Sequence, residues 1–345
     1  MLGAVDAPAM KPPTTSPSSP CRRGSVAWGI TLATLLSACG TEPSTTQCGA
    51  PLCARDGSAI TDVSRAVDAV TAVDAVTAVD AVTAVDGPVA AAPGVVVSVA
   101  WLADALAQGR AVQVVDVRSA SAWRAGHIAG ARVFDANTLS ATVGGISNEV
   151  LPGMTVATRL GAAGLRADVT TVVYGDTTTT TPARMVWTLH HYGQDDVHLL
   201  DGGFEAWRAA GHAADTTEVT VTPTAWSSAA GRDLIDGPTT LARHTEPGVI
   251  LFDVRTASEF AAGHIPGARN VDWTTLVADG ALRPDDTLRG LLGDIPRDAP
   301  VIVYCQSGIR ASVGWAVLRH LGHANTLLYD GSWAEWSARG YPRAP

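Results

Sequence analysis

The chain has 345 residues, a formal net charge of -9 and a hydrophobic content of 46%, which suggests about two domains with a sizeable core. The acidic balance and the lack of a basic stripe argue against nucleic-acid partners. Lys11 is the only lysine. That excludes Schiff-base chemistry beyond it, pyridoxal phosphate on lysine included, and leaves arginine as the fixed cation, suited to bidentate recognition of oxyanions.

In chain order, Arg22 and Arg23 precede an apolar run from Val26 to Leu36 and then "SAC". A basic region, a short apolar run and small residues before a cut form a secretory signal. The run is too short to span a bilayer comfortably. "LSAC" (Leu36 to Cys39) resembles a bacterial lipobox. That resemblance implies a signal over 1–38, lipidation of Cys39, and a location in the bacterial cell envelope, anchored to the membrane and facing the periplasm or exterior. Cys48 and Cys53 come soon after, and an oxidising compartment would permit a local disulfide between them. With so few ligands nearby, a metal site is discounted.

Residues 66–86 read AVDAVT three times and begin a fourth. The spacing fits neither a helical stripe nor a strand, so 39–94 read as a low-complexity tether. A second repetition organises the remainder of the chain. "DVRSASAWRAGHIAGA" (Asp116 to Ala131) recurs as "DVRTASEFAAGHIPGA" (Asp253 to Ala268), and "LLDGGFEAWRAAGH" from Leu199 recurs as "LYDGSWAEWSARGY" from Leu328. Two blocks in the same order imply a duplicated domain of about 110–120 residues, here 95–215 and 233–345 with a linker at 216–232. In each copy, short apolar segments ("VQVVDVR", "TTVVYGD", "VHLLDGG"; "GVILFDVR", "PVIVYCQ", "NTLLYDG") alternate with helical patterns. The expected fold class is α/β: two domains, each a mostly parallel sheet covered by helices on both faces.

"VIVYCQSGIRAS" then places Cys305 at the carboxyl end of a strand and before a helix, where ligands bind in such sheets. Unpaired N–H groups and the positive end of the helix dipole suit a thiolate nucleophile there. Gly308 permits a tight curl with N–H groups pointing inward, an anion nest. Arg310 adds a forked cation at the rim, and Gln306 and Ser307 add neutral donors. Ile309 completes the candidate set. In the first copy the same place reads "YGDTTTTTP", with Gly175 and Asp176 and no thiol. Asp116, Arg118 and His127 are therefore read as structural, as is His264. Arg255 stays among the substrate-binding candidates, although its match to Arg118 favours an ion pair within the fold. Trp333 and Trp336 read as packing, with Trp333 also a candidate for the wall of the site.

These motifs, in duplicate and in order, resemble the rhodanese (sulfurtransferase) family, and the duplication resembles its two-domain thiosulfate and 3-mercaptopyruvate members. The resemblance implies a non-catalytic first domain and a Cys305 that carries sulfane sulfur as a persulfide to a thiophilic acceptor, cyanide or a thiol. It implies no cofactor and no metal. Four residues separate Cys305 from Arg310; related phosphatases carry a loop one residue longer, so phosphate transfer is disfavoured. Arg310 in the sixth loop position favours a dianionic thiosulfate, with 3-mercaptopyruvate as the alternative. A reading of another class is a non-enzymatic envelope module that carries sulfur or binds a partner.

Overall fold

The computed structural model describes residues 94–177 and 179–345. The leader, Cys39, the Cys48/Cys53 pair and most of the tether lie outside the described residues.

The first half runs β1 (Val96–Val97), α1 (Val99–Ala107), β2 (Val112–Asp116), α2 (Ala120–Ala125), β3 (Arg132–Val133), a hairpin of β4 (Ser140–Val143) and β5 (Ile146–Val150), α3 (Gly153–Ala162), β6 (Thr170–Tyr174), α4 (Thr180–His191), β7 (Val197–Leu200) and α5 (Gly203–Ala209). The second half repeats the plan with β8 (Leu234–Ile235), α6 (Gly237–Arg243), β9 (Ile250–Asp253), α7 (Ala257–Ala261), β10 (Arg269–Asn270), a hairpin of β11 (Val277–Ala278) and β12 (Ala281–Leu282), α8 (Asp285–Leu292), β13 (Val301–Tyr304), α9 (Ala311–His320), β14 (Thr326–Tyr329) and α10 (Ser332–Ala338).

Each half holds a five-stranded sheet, and every pairing within the two sheets is parallel. The orders, β1-β7-β6-β2-β3 and β8-β14-β13-β9-β10, are the same. Central strands such as "VIVY" and "ILFD" are buried along their whole length, as strands covered on both faces must be. The two α/β domains expected from the alternation are therefore present.

The same polar bracket secures both copies. Arg118 clasps Asp116 and the Gly126 carbonyl, while Arg255 clasps Asp253 and the Gly263 carbonyl. The Tyr174 hydroxyl donates to Asp116 and accepts from the Ile128 N–H; Tyr304 accepts likewise from Ile265. Burial, with the neighbouring aspartate adding to it, pushes both tyrosine hydroxyls well above their ordinary range. His127 stacks on Trp123 and His264 on Phe260, each with Nδ1 against the backbone carbonyl of its stacking partner.

Between the domains, α4 packs on α9, and one apolar cluster containing Trp187, Trp315 and Cys305 runs through both halves. Residues 216–232 form no helix or strand and lie along the first domain, where the Thr224 N–H reaches the Gly161 carbonyl and Trp226 is buried.

Candidate active site

Apolar β13 delivers Cys305 to the carboxyl edge of its sheet with the residue 1% exposed. The loop then turns through Gly308, at φ +82°, and enters α9 at Arg310. This left-handed conformation favours glycine, and a Cβ there would also collide with Asp330 Oδ1.

Ser332, at the start of α10, shapes the curl from beneath. Its hydroxyl accepts the N–H of Cys305 and the N–H of Gly308, each at 3.1 Å, and donates to the Tyr329 carbonyl at 2.7 Å. Ser332 is buried at φ +51°, a conformation that costs a non-glycine residue about 1–3 kcal/mol. The N–H groups of Trp333 and Ala334 hold the carbonyls of Cys305 and Gln306. The nest expected from the sequence is thus altered: the Gly308 N–H points into the protein at Ser332, not at a ligand. Among the described residues, the N–H groups of Gln306, Ser307, Ile309 and Arg310 take no acceptor within the protein, and these remain for an anion.

Arg310 is half-buried and forks onto Glu259, Nη1 to Oε2 at 2.8 Å and Nη2 to Oε1 at 2.7 Å. Hydrogen bonding from Arg310, reinforced by Thr256, holds the Glu259 carboxyl down at about 2. The same pairing, together with Cys305 nearby, raises Arg310 above its ordinary range. Glu259 also closes the capping box of α7 with Thr256, so a helix start fixes where the guanidinium lies.

The first domain closes the other side. Arg184, on the buried face of α4, makes a two-pronged pair with Asp330, Nη1 to Oδ1 at 2.6 Å and Nη2 to Oδ2 at 3.0 Å. The Val150 N–H adds a third donor to Asp330 at 2.8 Å. Asn148, at φ +67°, accepts from Arg184 through its carbonyl and donates from Nδ2 to Ser307 Oγ at 2.9 Å. Ile309 shares a cavity of about 60 Å³ with Asn148, Thr181 and Arg184.

A cysteine in a strand-to-helix loop, repeated sheets and a closing second domain form a recognisable set. The model of the Rhodanese-like domain matches residues 98–210 and again 238–339. A probable 3-mercaptopyruvate sulfurtransferase of Pseudomonas aeruginosa is 36% identical over 245 residues, covering 66% of this chain and 86% of that protein. A thiosulfate sulfurtransferase of Corynebacterium glutamicum is 33% identical over 271 residues, covering 71% and 88%. The crystal structure of the 3-mercaptopyruvate sulfurtransferase SseA from Escherichia coli superposes with a TM-score of 0.63 at 29% identity, covering 70% of this chain and 99% of that one.

The chain belongs to the rhodanese family. Its chemistry is accordingly sulfur transfer, and relatives named for two different donors both match.

Within this rhodanese frame, Cys305 through Arg310 come together as one loop. Arg255 does not join them as a substrate-binding residue. It is 2% exposed, its Nε and Nη2 are taken by Asp253 and the Gly263 carbonyl, and its guanidinium lies 4.8 Å from the Trp333 ring. Arg255 instead braces the bracket that Arg118 braces in the first copy. Trp333 is half-buried against that guanidinium, and Trp336 is core. Four further contributors are faint in the sequence. Ser332 and Asp330 sit in "DGSW", the block matched to "DGGF", where Ser against Gly203 is the available signal. Arg184, an arginine within an apolar helix face, is another. Asn148 leaves none.

Proposed function

We propose that this rhodanese-family protein is a thiosulfate sulfurtransferase. The observation that carries the reading is the six-residue loop, with Cys305 at its closed end, unpaired N–H groups along it, and Arg310 held beside Cys305 by Glu259. The Cys305 thiolate attacks the outer sulfur of thiosulfate. A sulfur–sulfur bond to cysteine forms, the one within thiosulfate breaks, and sulfite leaves with the electron pair. A thiophilic acceptor, cyanide or a thiol, then takes the outer sulfur and returns the thiolate. The loop N–H groups and Arg310 neutralise the anion during approach, and no general base is required. Gln306 is exposed and Ser307 half-buried, and each offers a neutral donor at the mouth.

A second reading, with 3-mercaptopyruvate as donor, is favoured by one observation. Glu259 offsets much of the Arg310 charge, which reduces the advantage of a dianion over a monoanion. The envelope location rests on residues 22–39 and is part of the proposal.

Mass spectrometry after each donor separates the readings. Thiosulfate should add about 32 Da as a persulfide, Cys305→Ala should abolish the gain, and cyanide should release thiocyanate with turnover. No mass gain with thiosulfate but a gain with 3-mercaptopyruvate reverses the choice of donor. A persulfide that no acceptor removes supports a carrier instead.

A further inference from the structure

Ser307 is held from outside its own domain. A hydroxyl has one proton to give and two acceptor sites, and Asn148 Nδ2 fills one of those sites at 2.9 Å across 159 residues of sequence. Asn148 is itself pinned. Its carbonyl takes Arg184 Nη2 at 2.8 Å, and Val150, two residues on, donates to Asp330. Its left-handed φ of +67° is one that asparagine tolerates better than most side chains. Strand β5 is thus fixed to the wall of the loop immediately after the Asn148 side chain, through the Asn148 carbonyl and the Val150 N–H.

The other hairpin touches the silent loop in a different way. Between β11 and β12, the Gly280 carbonyl accepts from Thr179 Oγ1, and the ideal Cβ position at Gly280 lies 2.8 Å from Thr177. Each domain therefore lays its hairpin on its neighbour's loop, but only the Asn148 contact reaches a residue at a thiol.

We infer that Asn148 is a positioning residue that makes the Ser307 hydroxyl a donor to the anionic sulfur donor bound at the Cys305 loop. This rests on the sulfurtransferase reading above. With an acceptor site of Ser307 engaged by the amide N–H, the hydroxyl proton is left for the bound oxyanion, and a hydrogen bond received strengthens the one given. The specificity of the site is then written partly in the domain that lacks the cysteine. An amide turned the other way would present Oδ1 to Ser307 and take that proton, so the aspartate isostere separates the two arrangements.

The test measures the yield of Cys305 persulfide against thiosulfate concentration in the full chain. Asn148→Gly removes the amide at a backbone angle glycine prefers, so folding is spared. Asn148→Asp keeps the shape but offers only acceptors. Both should raise the half-saturating thiosulfate concentration, by about ten- to a hundredfold if the Ser307 hydrogen bond to the charged donor is lost outright, with the plateau yield kept. Ser307→Ala should do the same, and Asn148→Gly added to Ser307→Ala should change nothing further. Wild-type half-saturation in Asn148→Asp, or losses that multiply in the double variant, would overturn the assignment. A wild-type chain that forms no persulfide at any concentration is a different failure, that of the sulfurtransferase reading itself.

Discussion

The two loops at the ends of β6 and β13 occupy the same place in two matching sheets, yet only the second carries a cysteine. Both are held by the next helix in the same manner: Phe204 N–H to the Gly175 carbonyl in one, Trp333 N–H to the Cys305 carbonyl in the other. The differences are local. Cys305 stands against Gly175, Ser332 against Gly203, and Glu259 against Ala122 in the matched "DVR" blocks. Gly203 lies at φ +58° and Ser332 at +51°, so the backbone is shared and the active copy alone accepts a side chain there. What separates the thiol-bearing loop from the thiol-less one is the cysteine and a small group of polar residues that grip the backbone and the arginine, set on an unchanged frame.

The largest asymmetry is at the interface. Asp330 reaches the hairpin of the first domain through Val150, and Asp201 reaches the hairpin of the second through the Leu282 N–H at 2.7 Å. Among the described residues, only Asp330 also receives an arginine. Replacing Arg184 by methionine should leave a buried carboxylate uncompensated and cost about 3–5 kcal/mol, read by chemical denaturation. Asp201→Asn keeps an acceptor for Leu282 and removes a carboxyl that burial already pushes up, so it should cost less than about 1 kcal/mol. Equal losses at the two positions would mean that the interface is symmetric in energy as well as in plan.

Ser332→Gly makes the active copy resemble the silent one. Relief of the left-handed serine, about 1–3 kcal/mol, offsets part or all of the loss of three neutral hydrogen bonds at about 1 kcal/mol each, so stability should fall by no more than about 2 kcal/mol. Turnover should nonetheless fall about tenfold or more, because the Cys305 and Gly308 N–H groups lose their common anchor. Unchanged turnover would remove Ser332 from the loop's support. The reverse change, Gly203→Ser, should destabilise, since a Cβ there meets the Gly175 carbonyl at 2.6 Å.

The smallest effect is expected from Glu149, on β5 near the Arg184–Asp330 pair. Burial, then the nearby Asp330 and Glu335 charges, pushes its carboxyl up to about 7. A carboxyl raised on folding weakens the fold as it ionises, so stability should decline as pH rises from about 4.5 towards 7. Glu149→Gln should flatten that decline, raising the melting temperature by a few degrees at pH 8 and not at pH 4.5. A variant with no gain at pH 8 would show that the hairpin bears the charge without cost.

Much of this is legible in the sequence because it is local. Buried strands are written as apolar runs, the duplication as matched blocks, and the loop as six consecutive residues from Cys305 to Arg310. The sequence presents Arg310 as a free guanidinium at the rim; the fold pairs it with Glu259, which lies 51 residues earlier. The contacts that sequence does not reveal join distant positions: Arg184 with Asp330 at a separation of 146, and Asn148 with Ser307 at 159. No periodicity encodes them, since they exist only once the two sheets dock. The direction of the Gly308 N–H is hidden for a similar reason, because its acceptor belongs to the next strand-to-helix turn.

The crossing aspartates have a consequence for ancestry. An interface in which residue i of one half meets j of the other, and j of the first meets i of the second, is the isologous contact of a two-fold homodimer. Asp201 with Leu282 and Asp330 with Val150 retain that form inside a single polypeptide. Covalent fusion of two such halves frees them from having to share one sequence. One half could then keep the nucleophile while the other lost it and took on Arg184 and Asn148 as fixtures of its neighbour's site. The thiol-less half is thus better regarded as a permanently tethered subunit than as a defunct catalyst.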